Sequence, residues 1–217
     1  MKRLNFLSFL LVFGPALVLV FIATRSCKHD FKSLEHFGKL PAYSFTDVKG
    51  NQRNSEEFKN DVIIFTTLQK SCPYSCAVSF YLLNQILYQH IRKNKHKQLK
   101  KVRIISFVTD GKGKEAGGLQ DLQQTIKDQV EGYDPDIWIL AKGDARTIYN
   151  ITNNNQNLLQ EGSNYYGGQA FQELLLLVDK QNNLRMVLKG NDEGLIRRMK
   201  ESLALLLKQY DQERARR

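Results

Sequence analysis

Residues 61–76, DVIIFTTLQKSCPYSC, form the stretch that decides the fold. The run Asp61–Leu68 is short, continuously apolar and rich in β-branched residues, which is typical of a central strand buried on both faces. Cys72 and Pro73 follow it, and from Tyr74 to about Arg92 apolar residues recur at helical spacing. The stretch therefore predicts a buried strand that leads through a cysteine-containing turn into a helix. The predicted apolar face of that helix consists of Val78, Leu82, Ile86, Leu87 and Tyr88.

Strand and helix patterns continue on both sides of this stretch. Tyr43 to Val48 predicts a strand ahead of it. The patterns after it predict, in order, a strand at Val102–Val108, a helix at Leu119–Val130, a strand at Asp136–Leu140, a short helix at Ala145–Tyr149, an exposed loop at Asn150–Gln160, a β-hairpin at Leu174–Val178 and Leu184–Leu188, and a final amphipathic helix capped by Asp192. This order requires parallel crossover connections early and an antiparallel hairpin late. We therefore expect an α/β, thioredoxin-like fold, with a central mixed sheet flanked by helices.

The composition is that of a folded domain, because 42% of the 217 residues are hydrophobic and 25% are charged. The formal net charge of +10 would suit an acidic partner. The lysines and arginines are scattered, however, and the sequence has no basic stripe interleaved with aromatic residues. We therefore expect no nucleic-acid binding.

The N-terminal segment has the pattern of a membrane anchor. Met1 to Arg3 is basic, and Phe6 to Ala23 is almost wholly apolar and carries no charge. Roughly 18 helical residues at about 1.5 Å each approach the thickness of the hydrocarbon core of a bilayer. We therefore expect a cytoplasmic lead at residues 1–5, a transmembrane anchor at residues 6–24 and a tether at residues 25–40.

Two alternatives to an uncleaved anchor stay open at this point. One is a cleaved signal peptide, and the other is a lipoprotein signal ending at Cys27, although Arg25 falls inside any lipid-attachment sequence there. Basic residues flank the segment on both sides, so the charge distribution does not set its orientation. Residues 41–210 form the predicted globular domain, and residues 211–217 form a charged tail that is expected to fray.

The candidate site is the cysteine pair Cys72 and Cys76. Cys72 comes where a strand ends and a helix begins, and the unpaired amides and dipole of a helix N-terminus favour a thiolate there. Pro73 suits a first turn because it has no amide hydrogen to leave unsatisfied. Cys76 follows about one turn later, within bonding reach. The two thiols can exchange a disulfide or hold a soft metal such as Cu(I), and the alternative is a pair of buried, inert cysteines.

The segment Cys72-Pro-Tyr-Ser-Cys76 after a buried strand resembles the CPxxC motif of the SCO/SenC family, and the resemblance covers residues 41–210. It implies a thioredoxin-like domain tethered by one N-terminal helix in the cytoplasmic (inner) membrane, with the domain facing the periplasm or an equivalent extracytoplasmic space. It also implies a role in assembling the Cu(A) centre of cytochrome c oxidase, as Cu(I) donor or as reductant of the target's cysteines. The expected partner is the copper-bearing oxidase subunit or another thiol protein.

The sequence departs from the family pattern in three places. Ala77 stands where the family usually has a second proline, and extra residues occur around Leu68 to Lys70. The family's third copper ligand is a histidine whose position falls near Phe171, and phenylalanine cannot ligate copper. No histidine follows His96. We expect solvent-exposed, non-ligating side chains at His29, His36, His90 and His96.

The chain is therefore expected to be a divergent family member that favours dithiol–disulfide exchange, with Cys72 as nucleophile and Cys76 resolving. A two-thiolate Cu(I) site at Cys72 and Cys76 stays open. So do a general thiol–disulfide oxidoreductase or peroxidase, and a partner-binding module that has lost its site. Asp110 ends the strand expected beside the site, where it either influences the thiols or caps the next segment.

Overall fold

The computed structural model describes residues 13–15, 19, 34–69, 74–96, 98–110, 114–153, 156–157 and 174–215. The chain divides into two units, Met1–Ser33 and Leu34–Arg217. In the first unit the described residues, 13–15 and 19, are helical. None of the helices within the described ranges has both the length and the apolar character needed to cross a membrane. Most of the predicted anchor, residues 6–24, lies outside these ranges, so the anchor stays a prediction.

The second unit is built on a mixed sheet. Its strands are β1 (Ser44–Asp47), β2 (Gln52–Asn54), β3 (Val62–Gln69), β4 (Val102–Thr109), β5 (Trp138–Lys142), β8 (Leu174–Val178) and β9 (Leu184–Lys189), in the spatial order β2-β1-β5-β4-β3-β8-β9. Two short strands, β6 (Thr152–Asn153) and β7 (Gln156–Asn157), pair with each other within the segment predicted as an exposed loop.

Strand β3 lies near the middle of the sheet, as its uninterrupted apolar sequence predicts. It pairs in parallel with β4, which pairs in parallel with β5. On its other side β3 pairs antiparallel with β8, which forms a hairpin with β9. The predicted combination of early parallel crossovers and a late antiparallel hairpin is therefore confirmed.

Helices cover both faces of the sheet. They are α1 (Tyr74–Leu82), a π-helical segment (Leu83–Tyr88), α2 (Gln89–Lys93), a 3-10 turn (Gln98–Lys101), α3 (Leu119–Gln129), α4 (Arg146–Tyr149) and α5 (Glu193–Ala215). The first three elements are continuous and are called the motif helix below. The motif helix, α3 and α5 enclose one core cluster with Trp138. The short helix α4 packs with Phe58 and Phe107 in a second cluster on the opposite face.

Strand β5 begins two residues later than its sequence predicts. Asp134 accounts for the difference, because its carboxylate accepts a hydrogen bond from the Asp136 amide at 3.0 Å. Its carbonyl accepts bonds from the amides of Ile137 and Trp138. These bonds hold Asp136 and Ile137 in a turn, so the ladder starts at Trp138.

The C-terminal helix runs into the segment predicted as a charged tail. Helix α5 continues through Asp211 to Ala215, and Tyr210 is only 8% exposed. Lys180, from the β8–β9 turn, lies over the Tyr210 ring at 3.7 Å from its centroid and also pairs with Glu213. The helix thus crosses the predicted boundary at residue 210 and contacts the hairpin on both sides of it, through Tyr210 and Glu213.

Residues just before position 41 also contact the β8–β9 hairpin. Phe37 donates its amide hydrogen to the carbonyl of Leu184 at 2.9 Å, and Leu184 donates to Gly38 at 2.8 Å. Leu40 donates to the carbonyl of Asn182, whose side-chain amide donates back to the Leu40 carbonyl at 3.1 Å. The last residues of the predicted tether thus pair with the hairpin.

Candidate functional site

The cysteine motif connects the central strand to the motif helix. Strand β3 ends at Gln69 and α1 begins at Tyr74, so Cys72 and Pro73 belong to the connection between them. Both residues lie outside the described part of the chain. Cys76 is the third residue of α1, and its side chain is likewise not described. The predicted roles of the two thiols therefore stay predictions, while the strand and helix that flank them are those the sequence predicts.

The start of α1 is electrostatically suited to a thiolate. Its first turn contains no acidic side chain. The basic residues His90, Arg92 and Lys93 occupy the last turn of the motif helix, where they complement the negative end of the helix dipole. Unpaired amide hydrogens at a helix N-terminus stabilise an anionic sulfur and lower its pKa. The helix polarity therefore favours ionisation of a cysteine at its beginning.

A cleft of about 550 Å³ lies beside α1, and we call it the neutral cleft. The end of β3 forms one wall, with Thr66 only 4% exposed, and helix α3 forms another through Leu122 and Ile126. Ala77, directly after Cys76 in sequence, and the 61% exposed Tyr81 line it from α1. The described lining residues carry hydroxyl, amide and apolar groups and no charge. The cleft can therefore accommodate an uncharged segment next to the motif.

An aromatic cluster fixes the motif helix on the sheet. The ring centroids of Phe80 and Tyr88 lie 5.5 Å and 5.3 Å from that of Trp138. Trp138 in turn donates its indole hydrogen to Ser106 Oγ at 2.8 Å. The Tyr88 hydroxyl donates to the carbonyl of Gly132 at 2.6 Å and accepts the Asp134 amide hydrogen at 2.7 Å. These contacts hold the cysteine-bearing helix in a fixed position on the sheet.

The π-helical segment was not predicted from the sequence. It is marked by the backbone hydrogen bond from Gln89 N–H to the Asn84 carbonyl, five residues back. The side-chain amide of Gln89 also donates to Asn84 Oδ1 and to the carbonyl of Glu131, both at 3.1 Å. π-Helical turns occur frequently at functional sites. Asn84 lines the neutral cleft, so this one forms part of its wall.

The extra residue in the helical turn also changes which apolar positions are buried. Leu82, Leu87 and Tyr88 are buried as predicted, whereas Val78 and Ile86 are only half-buried. Leu83 and Ile91 were not predicted as core positions and are buried instead. A strict 3.6-residue period cannot account for this shift.

Asp110 stabilises its own loop. Its carboxylate accepts the Lys114 amide hydrogen at 2.9 Å, and its amide hydrogen bonds the Lys114 carbonyl at 2.9 Å. This is the arrangement that the capping interpretation predicts. An influence of Asp110 on the thiols stays a prediction, because the side chains of Cys72 and Cys76 lie outside the described part of the chain.

The histidines follow the prediction only in part. His36 and His96 are exposed, as expected, while His29 lies outside the described residues. His90 is half-buried rather than exposed, because α5 packs beside it. Burial, with a smaller contribution from the charge of Lys200, lowers the pKa of His90 below its ordinary value of 6.5.

The described residues contain no group of three or more histidine, cysteine or acidic side chains that could hold a metal. The side chains of Phe171, Cys72 and Cys76 lie outside the described residues, so this finding does not cover them. A copper site here would depend on the two thiolates, which are soft ligands suited to Cu(I). A Cu(I) site at Cys72 and Cys76 therefore stays a prediction.

The mixed sheet, the helix that starts directly after the central strand and the late hairpin define a thioredoxin-like α/β fold. Solved structures share this fold. An SCO1/SenC family lipoprotein from Bacillus anthracis matches with a TM-score of 0.53 and 18% identity, over 77% of this chain and 96% of that one. BsSco, a Sco-family cytochrome c oxidase assembly protein in which a disulfide switch was identified, matches with a TM-score of 0.53 and 15% identity, over 77% and 95%.

A protein from Bacteroides thetaiotaomicron, provisionally described as a protein disulfide isomerase, is similar as well. Its TM-score is 0.54 at 11% identity, over 81% of this chain and 92% of that one. No protein-family model and no curated protein sequence matches the chain. At these identities the likeness shows the fold alone, and function must be argued from the residues of this chain.

Proposed function

We propose that the chain is a membrane-anchored thiol–disulfide exchange protein of the SCO/SenC type that acts in assembly of the Cu(A) centre of cytochrome c oxidase. One observation carries the proposal: the sequence CPYSC connects the central strand of a thioredoxin-like sheet to the start of a helix without acidic residues in its first turn. The similarity in fold to an SCO1/SenC family lipoprotein and to BsSco supports it. The proposed location is the cytoplasmic membrane, with the domain facing the periplasm.

The exchange reaction proceeds in two displacements. The Cys72 thiolate attacks one sulfur of the target disulfide, forms a mixed disulfide and releases the target's other sulfur as a thiolate. The Cys76 thiolate then attacks Cys72 Sγ, which closes the Cys72–Cys76 disulfide and frees the second target sulfur. Two electrons pass from the cysteine pair to the target, and water supplies the protons that the released thiolates take up. The neutral cleft leaves room beside Ala77 for the target segment.

Copper binding would use the same two residues. Cys72 and Cys76 would hold Cu(I) as thiolates, and the ion would then be cargo delivered to the target. Without a histidine at position 171, binding of Cu(II) is expected to be weak, because imidazole suits Cu(II) better than thiolates alone. The sequence therefore favours the reductant role over the copper-donor role.

A titration of the reduced full-length chain with Cu(I), against a competing chelator, separates the two roles. No retention of Cu(I), together with reduction of an oxidised Cu(A) cysteine pair on the purified oxidase domain, is the result we expect. Stoichiometric Cu(I) retention that is lost in Cys72→Ser would instead establish the donor role. If the chain neither reduces the pair nor retains Cu(I), the proposed function is wrong.

A general thiol–disulfide oxidoreductase or a peroxidase is the second candidate. The fold of the Bacteroides protein described as a disulfide isomerase favours the first of these. A general oxidoreductase would reduce unrelated disulfide substrates as fast as the oxidase cysteine pair. A peroxidase would consume hydrogen peroxide through Cys72 far faster than a free thiol does.

A further inference from the structure

A second cavity, of about 400 Å³, lies between the motif helix and α5. Basic side chains line it: His90 and Lys93 from the motif helix, and Arg197 and Lys200 from α5. Glu193, also from α5, is the acidic residue in its lining. These five residues are called the basic cleft. The two that lie on the motif helix, His90 and Lys93, are more than three turns after Cys76 in sequence. Tyr81 and Gln85 line both this cavity and the neutral cleft, so the two cavities adjoin along the motif helix.

The positive charges of the basic cleft are only partly compensated. The Glu193 carboxylate already accepts two hydrogen bonds from Arg197, at 2.9 Å and 2.6 Å. Lys93 and Lys200 form no ion pair with any residue that the structure describes. Lys93 and Lys200 therefore line the cavity from two different helices without an acidic partner among the described residues, and an anion bound between them would compensate their charge.

Two nearby cations, Arg92 on the motif helix and Lys95 in the turn just after it, have acidic partners. Arg92 pairs with Glu131 at 3.1 Å, and Lys95 pairs with Asp134 at 3.0 Å. The segment that follows α3 thus provides acidic partners for Arg92 and Lys95, and not for Lys93. The lack of an acidic partner therefore distinguishes Lys93 from Arg92 and Lys95, its nearest basic neighbours in sequence.

His90 adds a titratable group to the cleft. It is half-buried, and the groups that line the cavity with it are Lys93 on its own helix and Glu193, Arg197 and Lys200 on α5. Burial and the charge of Lys200 favour its neutral form near pH 7. A neutral imidazole still donates one hydrogen bond, and a bound anion stabilises the protonated form, which donates two.

We propose that the basic cleft binds a small multivalent oxyanion of the phosphate class, either free or as part of a lipid headgroup. Three cations and an imidazole on two packed helices surround a cavity large enough for such a group. Charge-assisted hydrogen bonds from lysine and arginine to phosphate oxygens are among the strongest that proteins form. The inference does not depend on the proposed thiol function.

Calorimetric titration of the full-length chain with pyrophosphate, at constant ionic strength, tests the proposal. Lys93→Gln and Lys200→Gln are each expected to weaken binding about tenfold, the effect of losing one hydrogen bond to a charged group. Lys127→Gln is the matched control, because Lys127 is an exposed lysine on α3, outside the cleft. It should leave the affinity unchanged. The pKa of His90, followed by NMR, should rise when pyrophosphate binds.

A second titration uses vesicles of neutral lipid with and without an anionic phospholipid. Binding of pyrophosphate that depends on Lys93 and Lys200 indicates a free anion as ligand. Tighter binding to anionic than to neutral vesicles, with the same dependence, indicates a lipid headgroup, because the predicted anchor at residues 6–24 would contribute equally to both. The proposal is wrong if pyrophosphate does not bind and the anionic lipid does not tighten binding, or if Lys127→Gln weakens binding as much as Lys200→Gln does.

Discussion

The ring of Phe80 packs against the ring of Trp138, with the centroids 5.5 Å apart and the planes tilted by 35°. Phe80 lies one helical turn after Cys76 on α1, and Trp138 opens strand β5. The contact therefore couples the first turns of the motif helix to the centre of the sheet. Trp138 is the only tryptophan of the chain, so its fluorescence reports on this contact.

We expect the emission of Trp138 to differ between the dithiol and disulfide forms of the full-length chain. Closing a bond between Cys72 and Cys76 constrains the first turn of α1 and shifts Phe80 against the indole. The measurement is the emission spectrum in reducing and oxidising buffer. A Cys72→Ser, Cys76→Ser double variant serves as the control and should show no redox dependence. Superimposable spectra of the two forms would contradict the coupling.

A buried ion pair holds the β8–β9 turn to the start of the domain. Asp179, 3% exposed, pairs with Arg185 at 3.1 Å, and its carboxylate also accepts the amide hydrogens of Gln181 and Asn183. Arg185 donates further to the carbonyl of Leu34 at 3.1 Å. One carboxylate thus organises both the turn and the segment that docks on it.

Replacement of Asp179 by Ala should lower the free energy of unfolding by about 3 kcal/mol, because it leaves the Arg185 guanidinium without its partner. Urea denaturation followed by circular dichroism measures the change. The exposed pair of Lys59 and Glu56 gives a control, and Lys59→Ala should cost less than about 1 kcal/mol. Equal losses in the two variants would show that the buried pair has no special role.

Removing either of two hydroxyl groups in neighbouring strands should have different effects on the free energy of unfolding. Ser106 is fully buried and accepts the indole hydrogen of Trp138, so Ser106→Ala should cost about 2 kcal/mol by leaving that donor unpaired. Thr67 Oγ1 is buried and makes no hydrogen bond with any described residue. Its replacement by Val should be neutral, or stabilising by about 1 kcal/mol. Urea titrations compare the two, and a destabilised Thr67→Val would mean that this hydroxyl has a partner.

The depressed pKa of His90 predicts a pH dependence of stability. Burial and Lys200 disfavour its charged form in the folded state, so the unfolded chain binds the proton more readily. The contribution of neutral His90 to the free energy of unfolding should be fully present above the ordinary pKa of 6.5. It should be lost as the pH falls below that value. His90→Gln should flatten this pH dependence. The variant keeps the other charged groups of the cleft, which are Lys93, Glu193, Arg197 and Lys200. Thermal unfolding at pH 7.5 and pH 5.5 measures it, and an unchanged slope in the variant would rule out His90 as the source.

The sequence predicts the fold well where hydrophobic patterns are uninterrupted. The runs that form β3, β4 and β8 are continuous and apolar, and each strand appears within two residues of its predicted bounds. Polar contacts accompany the differences. Asp134 bonds the residues just before β5, the Asn84–Gln89 bonds mark the π-helical segment, and Lys180 of the β8–β9 turn pairs with Glu213 of α5. None of these can be predicted from the periodicity of apolar residues, because each depends on hydrogen bonds or ion pairs of particular polar side chains.

The candidate site can be predicted from the sequence only in part. The spacing of Cys72 and Cys76 is visible in the sequence, and so is the helix that begins beside them. The uncharged character of the neighbouring cleft is not, because β3, α1 and α3 contribute its lining from separate parts of the chain. The basic cleft cannot be predicted from the sequence for the same reason, since His90 and Lys200 are far apart in the chain.

The most direct test of the central claim is the redox equilibrium of the full-length chain in glutathione buffers, with thiols alkylated and mapped by mass spectrometry. We expect a reversible two-electron transition in which Cys72 and Cys76 bond to each other and Cys27 stays free. We also expect Cys72 to react with the alkylating agent at pH values below the ordinary thiol pKa of about 8.5. Two motif cysteines that stay reduced at every buffer ratio, or that pair with other thiols instead, would contradict the account.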